Sequence, residues 1–201
     1  MTTNSGNSDQ LQHPGAGLPS LERAVLNAVL KTGSVFLSEK RALQLFLREA
    51  DELVRIADED ESYDVFQPVL IPRIVGIEDS SRNWSVMMVL EHLCLTNRDM
   101  LAAITDLTDG IVPRGEIDIA LYKPSPDVGF DVLDRFREIT FEYYRAIENL
   151  IENHVSLKTD SRYAHPWFGR LNAHQWHYLA GYHQRIHRKQ AQKIIAMLGV
   201  T

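Results

Sequence analysis

The last long segment of the sequence carries two histidines, His183 and His187, that are four residues apart. An α-helix has 3.6 residues per turn, so residues at this spacing lie on one face of the helix, one turn apart. Two imidazoles placed in this way can bind one divalent metal ion if another element brings a third ligand. The spacing is also compatible with two buried histidines that hydrogen-bond to backbone or carboxylate groups, so the pair alone leaves both interpretations open.

The neighbours of this pair indicate which face of the helix is buried. The residues that share the stripe of the two histidines are Trp176, Ala180, Gln190, Ile194 and Leu198. Because these are mostly apolar, we interpret the stripe as the one that faces the core. His174 and His177 lie about 180° and about 120° around the helix from His183, and we expect them to point to solvent or to an edge. His165, which precedes Pro166 in a loop, is expected to have a structural role there.

A third histidine, His92, lies within the most apolar of the predicted helices. Its own face is mixed and carries Ser85, Met88, Leu95, Thr96 and Asp99. A polar stripe on a buried helix is typical of a helix that lines a cavity, although a core histidine with one hydrogen bond would fit the same pattern. Three imidazoles leave a tetrahedral ion with one open position, which is the arrangement of catalytic metal sites. The sequence therefore predicts a site for a divalent ion, either zinc, nickel or iron, at His92, His183 and His187.

Four long amphipathic helices are predicted to position these histidines, because apolar residues recur at helical spacing in four segments. The segments run from Val35 to about Glu59, from near Asn83 to Leu107, from about Phe130 to Asn153, and from Asn172 to Leu198. A shorter helix is expected to begin at Ser20 and to end or bend at Thr32-Gly33-Ser34. Since no segment shows the alternation of a strand, the predicted fold is an all-α four-helix bundle.

Two long connections separate the predicted helices. Residues 60–82 contain Pro68, Pro72 and Gly76, which exclude a continuous helix. The segment is nevertheless so apolar that we expect it to pack over one end of the bundle. Residues 108–126 could extend over ~60 Å, whereas a helix of about 25 residues is only ~38 Å long. This second connection is long enough to cross the whole bundle, so the helix after it could run parallel to the helix before it.

The overall charge argues against nucleic acid and anionic membrane surfaces as partners. The chain has 201 residues, with 21 lysines and arginines against 27 aspartates and glutamates, which gives a net charge of −6. Binding to either partner normally requires a basic face. The chain also lacks an apolar run of the ~18 residues that a membrane span needs.

The single cysteine and the N-terminal composition favour the cytoplasm. Cys94 has no second cysteine with which to form an internal disulfide, which suits a reducing compartment. Residues 1–19 are poor in apolar side chains and lack the apolar core of a signal peptide, so we predict a flexible tail. Residues 20–201 are predicted to form a single domain, since this length fits one core.

Several pieces of the sequence resemble the DinB-like superfamily of metal-binding four-helix bundles, which includes the YfiT-like proteins regarded as hydrolases. The pieces are Asn83-Trp84-Ser85, Glu91-His92-Leu93, His165-Pro166-Trp167-Phe168-Gly169, and Trp176 together with His183-Gln184-Arg185-Ile186-His187-Arg188-Lys189-Gln190. The likeness covers roughly residues 35–198. The N-terminal extension and the proline-bearing loop at 60–82 depart from it.

The resemblance implies a fold, a metal site and a class of chemistry. It implies an up-down-down-up bundle with the long crossover between its second and third helices, and a divalent metal ion on His92, His183 and His187. It further implies a metal-dependent thiol S-transferase or hydrolase that acts on a small molecule, for example a low-molecular-weight thiol. A non-enzymatic metal- or ligand-binding stress-response bundle is the alternative. Similar bundles are commonly homodimers, and the apolar helix at 83–107 would fit either a dimer interface or a cover formed by a loop.

Overall fold

The computed structural model describes residues 11–58 and 64–199, which form five α-helices and four short strands. The helices are α1 (Ser20–Phe36), α2 (Glu39–Asp58), α3 (Val86–Thr108), α4 (Val132–Glu152) and α5 (Ala173–Leu198). Helix α5 packs against both α2 and α3, and α4 packs against the same two helices, so α2 to α5 form a four-helix bundle. Helix α1 lies outside the bundle and packs against α5. The predicted four-helix bundle is therefore confirmed.

The two helices that carry the predicted metal ligands have well-defined starting points. At the start of α5, the side chain of Asn172 accepts a hydrogen bond from Gln175 N at 2.9 Å, and Gln175 Oε1 accepts one from Asn172 N at 3.1 Å. At the start of α3, Ser85 Oγ accepts a hydrogen bond from Met88 N at 3.1 Å. These caps satisfy amide groups that a helix leaves free at its first turn. The caps thereby fix the residue at which each of the two helices begins.

The described chain is mostly helical, as predicted, and two short antiparallel ladders that the sequence did not predict flank the bundle. Strand β1 (Val69–Leu70) pairs with β2 (Asn83–Trp84), and β3 (Tyr163–His165) pairs with β4 (Gly169–Leu171). Strands of two or three residues are too short to show an alternating pattern in the sequence. The second ladder is a tight hairpin, and Gly169 at its turn has a φ of +72°, a conformation that favours glycine.

The predicted break at Thr32-Gly33-Ser34 is wrong, because α1 continues through this segment to Phe36. Gly33 stays helical, and its missing side chain lets α1 approach α5 closely. A Cβ atom at Gly33 would lie only 2.2 Å from Tyr178 Oη. The chain leaves the helix at Leu37 instead, whose φ and ψ are those of extended backbone.

The apolar connection before α3 packs on the bundle, as predicted for its described part. Ile71 and Ile77 are buried, and Ile71 belongs to the same apolar cluster as the first two turns of α3. Met87 N donates a hydrogen bond to Val65 O at 3.2 Å, which attaches the connection to the start of the helix. The all-round apolar surface of α3 is thus covered by α4, α5 and this connection. Among the described helices, none has the length and apolarity required to cross a membrane.

The described part of the predicted tail lies against the same connection. Gly17 N donates a hydrogen bond to Glu78 Oε1 at 2.7 Å, and Gln12 N donates one to Asp79 Oδ2 at 2.9 Å. Leu18 is buried. Residues 1–10, which make up the rest of the predicted tail, lie outside the described residues.

Candidate metal centre

Helices α3 and α5 bring the three predicted ligands together. The Nε2 atom of His183 lies 3.3 Å from Nε2 of His92 and 3.2 Å from Nε2 of His187. One ring nitrogen from each of the three histidines lies within 4.8 Å of the others. This three-histidine cluster could hold a metal ion. The spacing of His183 and His187 along α5, together with the mixed face of His92 on α3, was sufficient to find it.

Hydrogen bonds on the far side of two rings determine which nitrogen points into the cluster. His92 Nδ1 lies 2.7 Å from the carbonyl oxygen of Tyr122, which can only accept, so Nδ1 carries the hydrogen. His187 Nδ1 lies 2.7 Å from Gln190 Oε1, and Gln190 Nε2 in turn donates to Ser81 O at 2.7 Å. In the neutral form, both histidines therefore direct an Nε2 lone pair into the centre. Such outer partners are typical of metal-binding histidines.

The resulting arrangement of lone pairs fits a cation. The Nε2 atom of His183 can carry at most one hydrogen, so it can donate to only one of the two lone pairs beside it. At least one contact then places a nitrogen lone pair about 3 Å from another ring nitrogen with no hydrogen between them, which is unfavourable unless a positive charge lies there. In addition, Nδ1 of His183 is buried and lacks a hydrogen-bond partner among the described residues.

The distances also fit a first-row divalent ion. Nitrogen ligands at ~2.0–2.1 Å from a tetrahedral ion lie about 3.3 Å from one another. The two separations in the cluster that involve His183 Nε2 are 3.2 and 3.3 Å. The donor set and its spacing are therefore compatible with such an ion.

The environment keeps the three imidazoles neutral, which is the form that binds metal. Burial lowers the pKa of His92 to about 4, and the nearby charge of Lys123 acts in the same direction. Burial also lowers the pKa of His183 and of His187 well below the ordinary value. At neutral pH the lone pairs are consequently free of protons that would compete with a metal ion.

The expectation that His174 and His177 point to solvent or to an edge is wrong, because both are buried. His177 accepts a hydrogen bond from Tyr143 Oη at Nδ1, with a distance of 2.8 Å, and its Nε2 lies 3.0 Å from Glu39 O. His174 Nε2 lies 2.6 Å from Ser34 O. The expectation assumed one buried face, whereas the start of α5 is covered by α1 and α2 as well as by α3.

His165 has the structural role that was expected and also lines the space next to the cluster. On strand β3, its Nδ1 accepts a hydrogen bond from Trp167 N at 3.1 Å, which stabilises the hairpin turn. Its ring lies 4.6 Å from the ring of Phe168 and 5.3 Å from that of Trp176, measured between centroids. Burial lowers the pKa of His165 to about 3, so this ring is also neutral.

A cavity of about 300 Å³ adjoins the three histidines. Its walls come from α1, α3, α5, the connection before α3, the connection before α4 and the β3–β4 hairpin. One polar group in it is Lys123, whose Nζ contacts Glu78 Oε2 at 2.5 Å and the hydroxyls of Ser80 and Ser81 at 2.8 Å. Sequence reasoning missed Lys123 and Glu78 as parts of the site, because they lie in irregular connections that have no periodic pattern.

Comparison with protein-family models and with curated proteins finds no match. Among solved structures, the chain is similar to a crystal structure described as that of TT2238, a four-helix bundle protein. The two sequences are 20% identical, the TM-score is 0.47, and the match covers 77% of this chain and 98% of the other. At this level of likeness the comparison assigns neither a family nor a function to the chain.

Proposed function

We propose that this protein is a metal-dependent enzyme of the DinB-like superfamily that acts on a small molecule. It binds one divalent ion through His92, His183 and His187. The observation that carries the proposal is the convergence of three Nε2 atoms beside a cavity, with two of the rings oriented by outer hydrogen bonds. Three protein ligands leave room for a water or a substrate atom, which favours a catalytic site over a structural one.

The proposal includes the up-down-down-up order of the bundle. Two contacts support it. Glu91, near the start of α3, lies 3.5 Å from Arg135, near the start of α4, as expected for neighbouring parallel helices. His177, near the start of α5, contacts the backbone of Glu39 at the start of α2, as expected for a second parallel pair. The connection between Thr108 and Val132 would then be the crossover.

The proposed chemistry is thiol S-transfer or hydrolysis. A bound divalent ion would supply a Lewis acid that lowers the pKa of a water or a thiol at its open position. The Tyr122 carbonyl and the Gln190 side chain hold the rings of His92 and His187 in place, so the ligands need not reorganise during the reaction. The apolar walls exclude bulk water and strengthen electrostatic interactions with the reacting group.

The proposal also concerns location and assembly. We place the protein in the cytoplasm, which is supported by its buried thiol, since burial raises the pKa of Cys94 to about 11 and keeps it unreactive. A homodimer is proposed as well. Helix α1 offers a surface for it, because Leu21 and Phe36 are 77% and 79% exposed. Val29, which lies between them on the same side of the helix, is 39% exposed, and a continuous exposed apolar stripe is typical of interaction sites.

Elemental analysis of protein purified without a histidine tag tests the metal site directly. We expect about one equivalent of a divalent metal after reconstitution, and loss of that metal in His187→Ala. His154→Asn is the matched control, because His154 is exposed at the end of α4 with a φ of 55° that asparagine tolerates. A metal content that is negligible, or equal in the wild type and in His187→Ala, would refute the site.

Assays of thiol transfer and of ester and amide hydrolysis test the enzymatic part. Turnover that is lost in His187→Ala while the circular dichroism spectrum is kept would support an enzyme. Stoichiometric metal without turnover of any of these substrates would favour the non-enzymatic, ligand-binding alternative.

A further inference from the structure

The walls of the cavity are largely apolar and aromatic. Aromatic rings from both the hairpin and α5 contribute to them, among them Trp167, Phe168, Tyr178 and Tyr182. An apolar cavity of ~150 Å³ can bind one benzene ring. A cavity of about 300 Å³ therefore has room for two fused rings, or for one ring with a short chain.

The one cationic side chain among the described residues of these walls is already paired. Among the described residues that line the cavity, the charged side chains are Glu78, Asp99 and Lys123. The ammonium group of Lys123 uses its three hydrogens on Glu78, Ser80 and Ser81. A carboxylate or phosphate on a ligand would therefore lose its hydration without gaining a cationic side chain, which is costly.

The second carboxylate in the cavity walls, that of Asp99, further disfavours anionic ligands. Asp99 lines the cavity and accepts a hydrogen bond from Tyr122 Oη, and among the described residues no cation pairs with it. The side-chain charges of the described residues that line the cavity sum to −1, from Lys123 against Glu78 and Asp99. The proposed divalent ion would raise the sum to +1, so the discrimination against anions applies to the wall away from the three histidines. Repulsion by Asp99 would disfavour an anionic ligand further.

Several hydrogen-bond donors in the walls lack a partner among the described residues; Trp176 Nε1 is one, but it is fully buried, and His165 supplies another. Because Nδ1 of His165 accepts from Trp167 N, the hydrogen of the neutral ring is on Nε2. No hydrogen-bond partner of this Nε2 occurs among the described residues. The ring is held between Phe168 and Trp176, so the direction of its N–H group is fixed.

We propose that the site takes a neutral, largely apolar, ring-containing substrate with one hydrogen-bond acceptor, to which His165 Nε2–H donates. As a statement about a substrate, this rests on the metal-dependent function proposed above. Such a site would select against low-molecular-weight thiols that are recognised through their carboxylates. It favours an aromatic ester, amide or thiol.

Three ring-matched probes test the substrate class on the full-length protein. They are 2-acetylnaphthalene, 2-ethylnaphthalene and 2-naphthoate, titrated by calorimetry with the protein as purified and after chelation. Chelation matters because a carboxylate could otherwise bind directly to the metal. We expect the chelated protein to bind 2-naphthoate at least about tenfold more weakly than 2-acetylnaphthalene. Equal or tighter binding of 2-naphthoate, or no binding of either neutral probe, would overturn the proposal.

The variant His165→Phe tests the donor while keeping an aromatic ring in place. The measured quantity is the ratio of the affinities for 2-acetylnaphthalene and 2-ethylnaphthalene. A general loss of packing weakens the binding of both probes and therefore largely cancels in this ratio. We expect the ratio to fall roughly threefold to tenfold, as for the loss of one neutral hydrogen bond. An unchanged ratio in a folded His165→Phe protein would overturn the role of His165.

A pair of tryptophan variants on α1 locates the bound probe. Leu26 lines the cavity, whereas its neighbour Val25 is 54% exposed on the outer side of the same helix. We expect Leu26→Trp to fill the cavity and weaken binding of 2-acetylnaphthalene, and Val25→Trp to leave it unchanged. Equal binding in both variants would show that the probe binds elsewhere and would overturn the proposal. Metal content measured on the reconstituted protein keeps the outcomes separate, because a protein that takes up no metal on reconstitution but still binds the neutral probe refutes only the metal-dependent function.

Discussion

Gln190 offers a sharp test of how the metal centre is built, because it contacts a ligand without being one. It is fully buried, it accepts a hydrogen bond from His187 Nδ1 at 2.7 Å, and it donates one to Ser81 O at 2.7 Å. In Gln190→Met the side chain keeps a similar length, but both hydrogen bonds are lost. The ring of His187 is then free to rotate, and two buried polar groups are left without partners.

Gln190→Met should change two quantities, the metal affinity and the free energy of unfolding. Loss of an outer partner of a metal-binding histidine lowers metal affinity about 10-fold to 100-fold, which corresponds to about 1.4–2.7 kcal/mol. Each unpaired buried group costs about 1–3 kcal/mol of folding free energy, so the metal-free Gln190→Met protein should lose about 2–6 kcal/mol of stability. The lower end applies if water reaches Ser81 O.

Competition with a chromogenic chelator measures the affinity, and urea unfolding of the metal-free protein measures the stability. Gln44→Met is the matched control, since Gln44 is exposed on α2 and has no side-chain hydrogen bond among the described residues, and it should change neither quantity appreciably. Gln190→Glu separates the two effects, because a carboxylate still accepts from His187 Nδ1 but cannot donate to Ser81 O. It should keep the metal while losing stability. Wild-type metal affinity in a folded Gln190→Met protein would refute the reasoning.

Three further outcomes follow from buried contacts. Glu49 lies 3.1 Å from Arg185 Nε and 2.5 Å from Arg188 Nε and joins α2 to α5. Because both arginines are partly exposed, Glu49→Gln should cost only about 1–3 kcal/mol in urea unfolding. A loss no larger than that of Glu52→Gln, at a partly exposed glutamate paired with Arg55, would contradict this. Burial lowers the pKa of His177 from 6.5 to about 4, so between these values the unfolded chain binds a proton that the folded chain does not. The free energy of unfolding should therefore fall as the pH decreases from 6.5 to 4, with a slope that is smaller in His177→Gln; an equal slope would exclude His177 as a source. Gly33→Ala should destabilise by about 1–3 kcal/mol through overpacking against Tyr178, and thermal melting should show a smaller loss in a Tyr178→Phe background.

The sequence was sufficient to predict the bundle helices and the three histidines of the cluster, because both predictions depend on periodicity. Helices α3 and α5 are long and regular, so the faces deduced from the sequence are the faces in the structure. This holds for His183 and His187 on α5 and for the mixed stripe of His92 on α3. The same geometric reasoning was wrong for His174 and His177, because it could not anticipate how many elements cover the start of α5. A single amphipathic face is a property of surface helices, and α5 is central.

The parts of the candidate site that could not be predicted lie in the long connections between the helices. Tyr122 and Lys123 reach the site from the connection before α4, and Glu78, which pairs with Lys123, reaches it from the connection before α3. Their positions depend on the path of two long loops, which no local pattern encodes. His165 is intermediate, since its motif was visible in the sequence but its contact with the cavity depends on a two-stranded hairpin.

The placement of the ligands on two helices has a consequence for the stability of the whole chain. His92 and His183 are 91 positions apart in the sequence, so an ion shared by them is a crosslink that closes a very large loop. In the chain-entropy model, a covalent crosslink over such a loop restricts the unfolded chain by about 4–5 kcal/mol, as an upper bound. A reversible ion acts only while it is bound, and its contribution grows with the free metal concentration. If the proposed ion binds there, the stability of the bundle would depend on the metal supply of its surroundings.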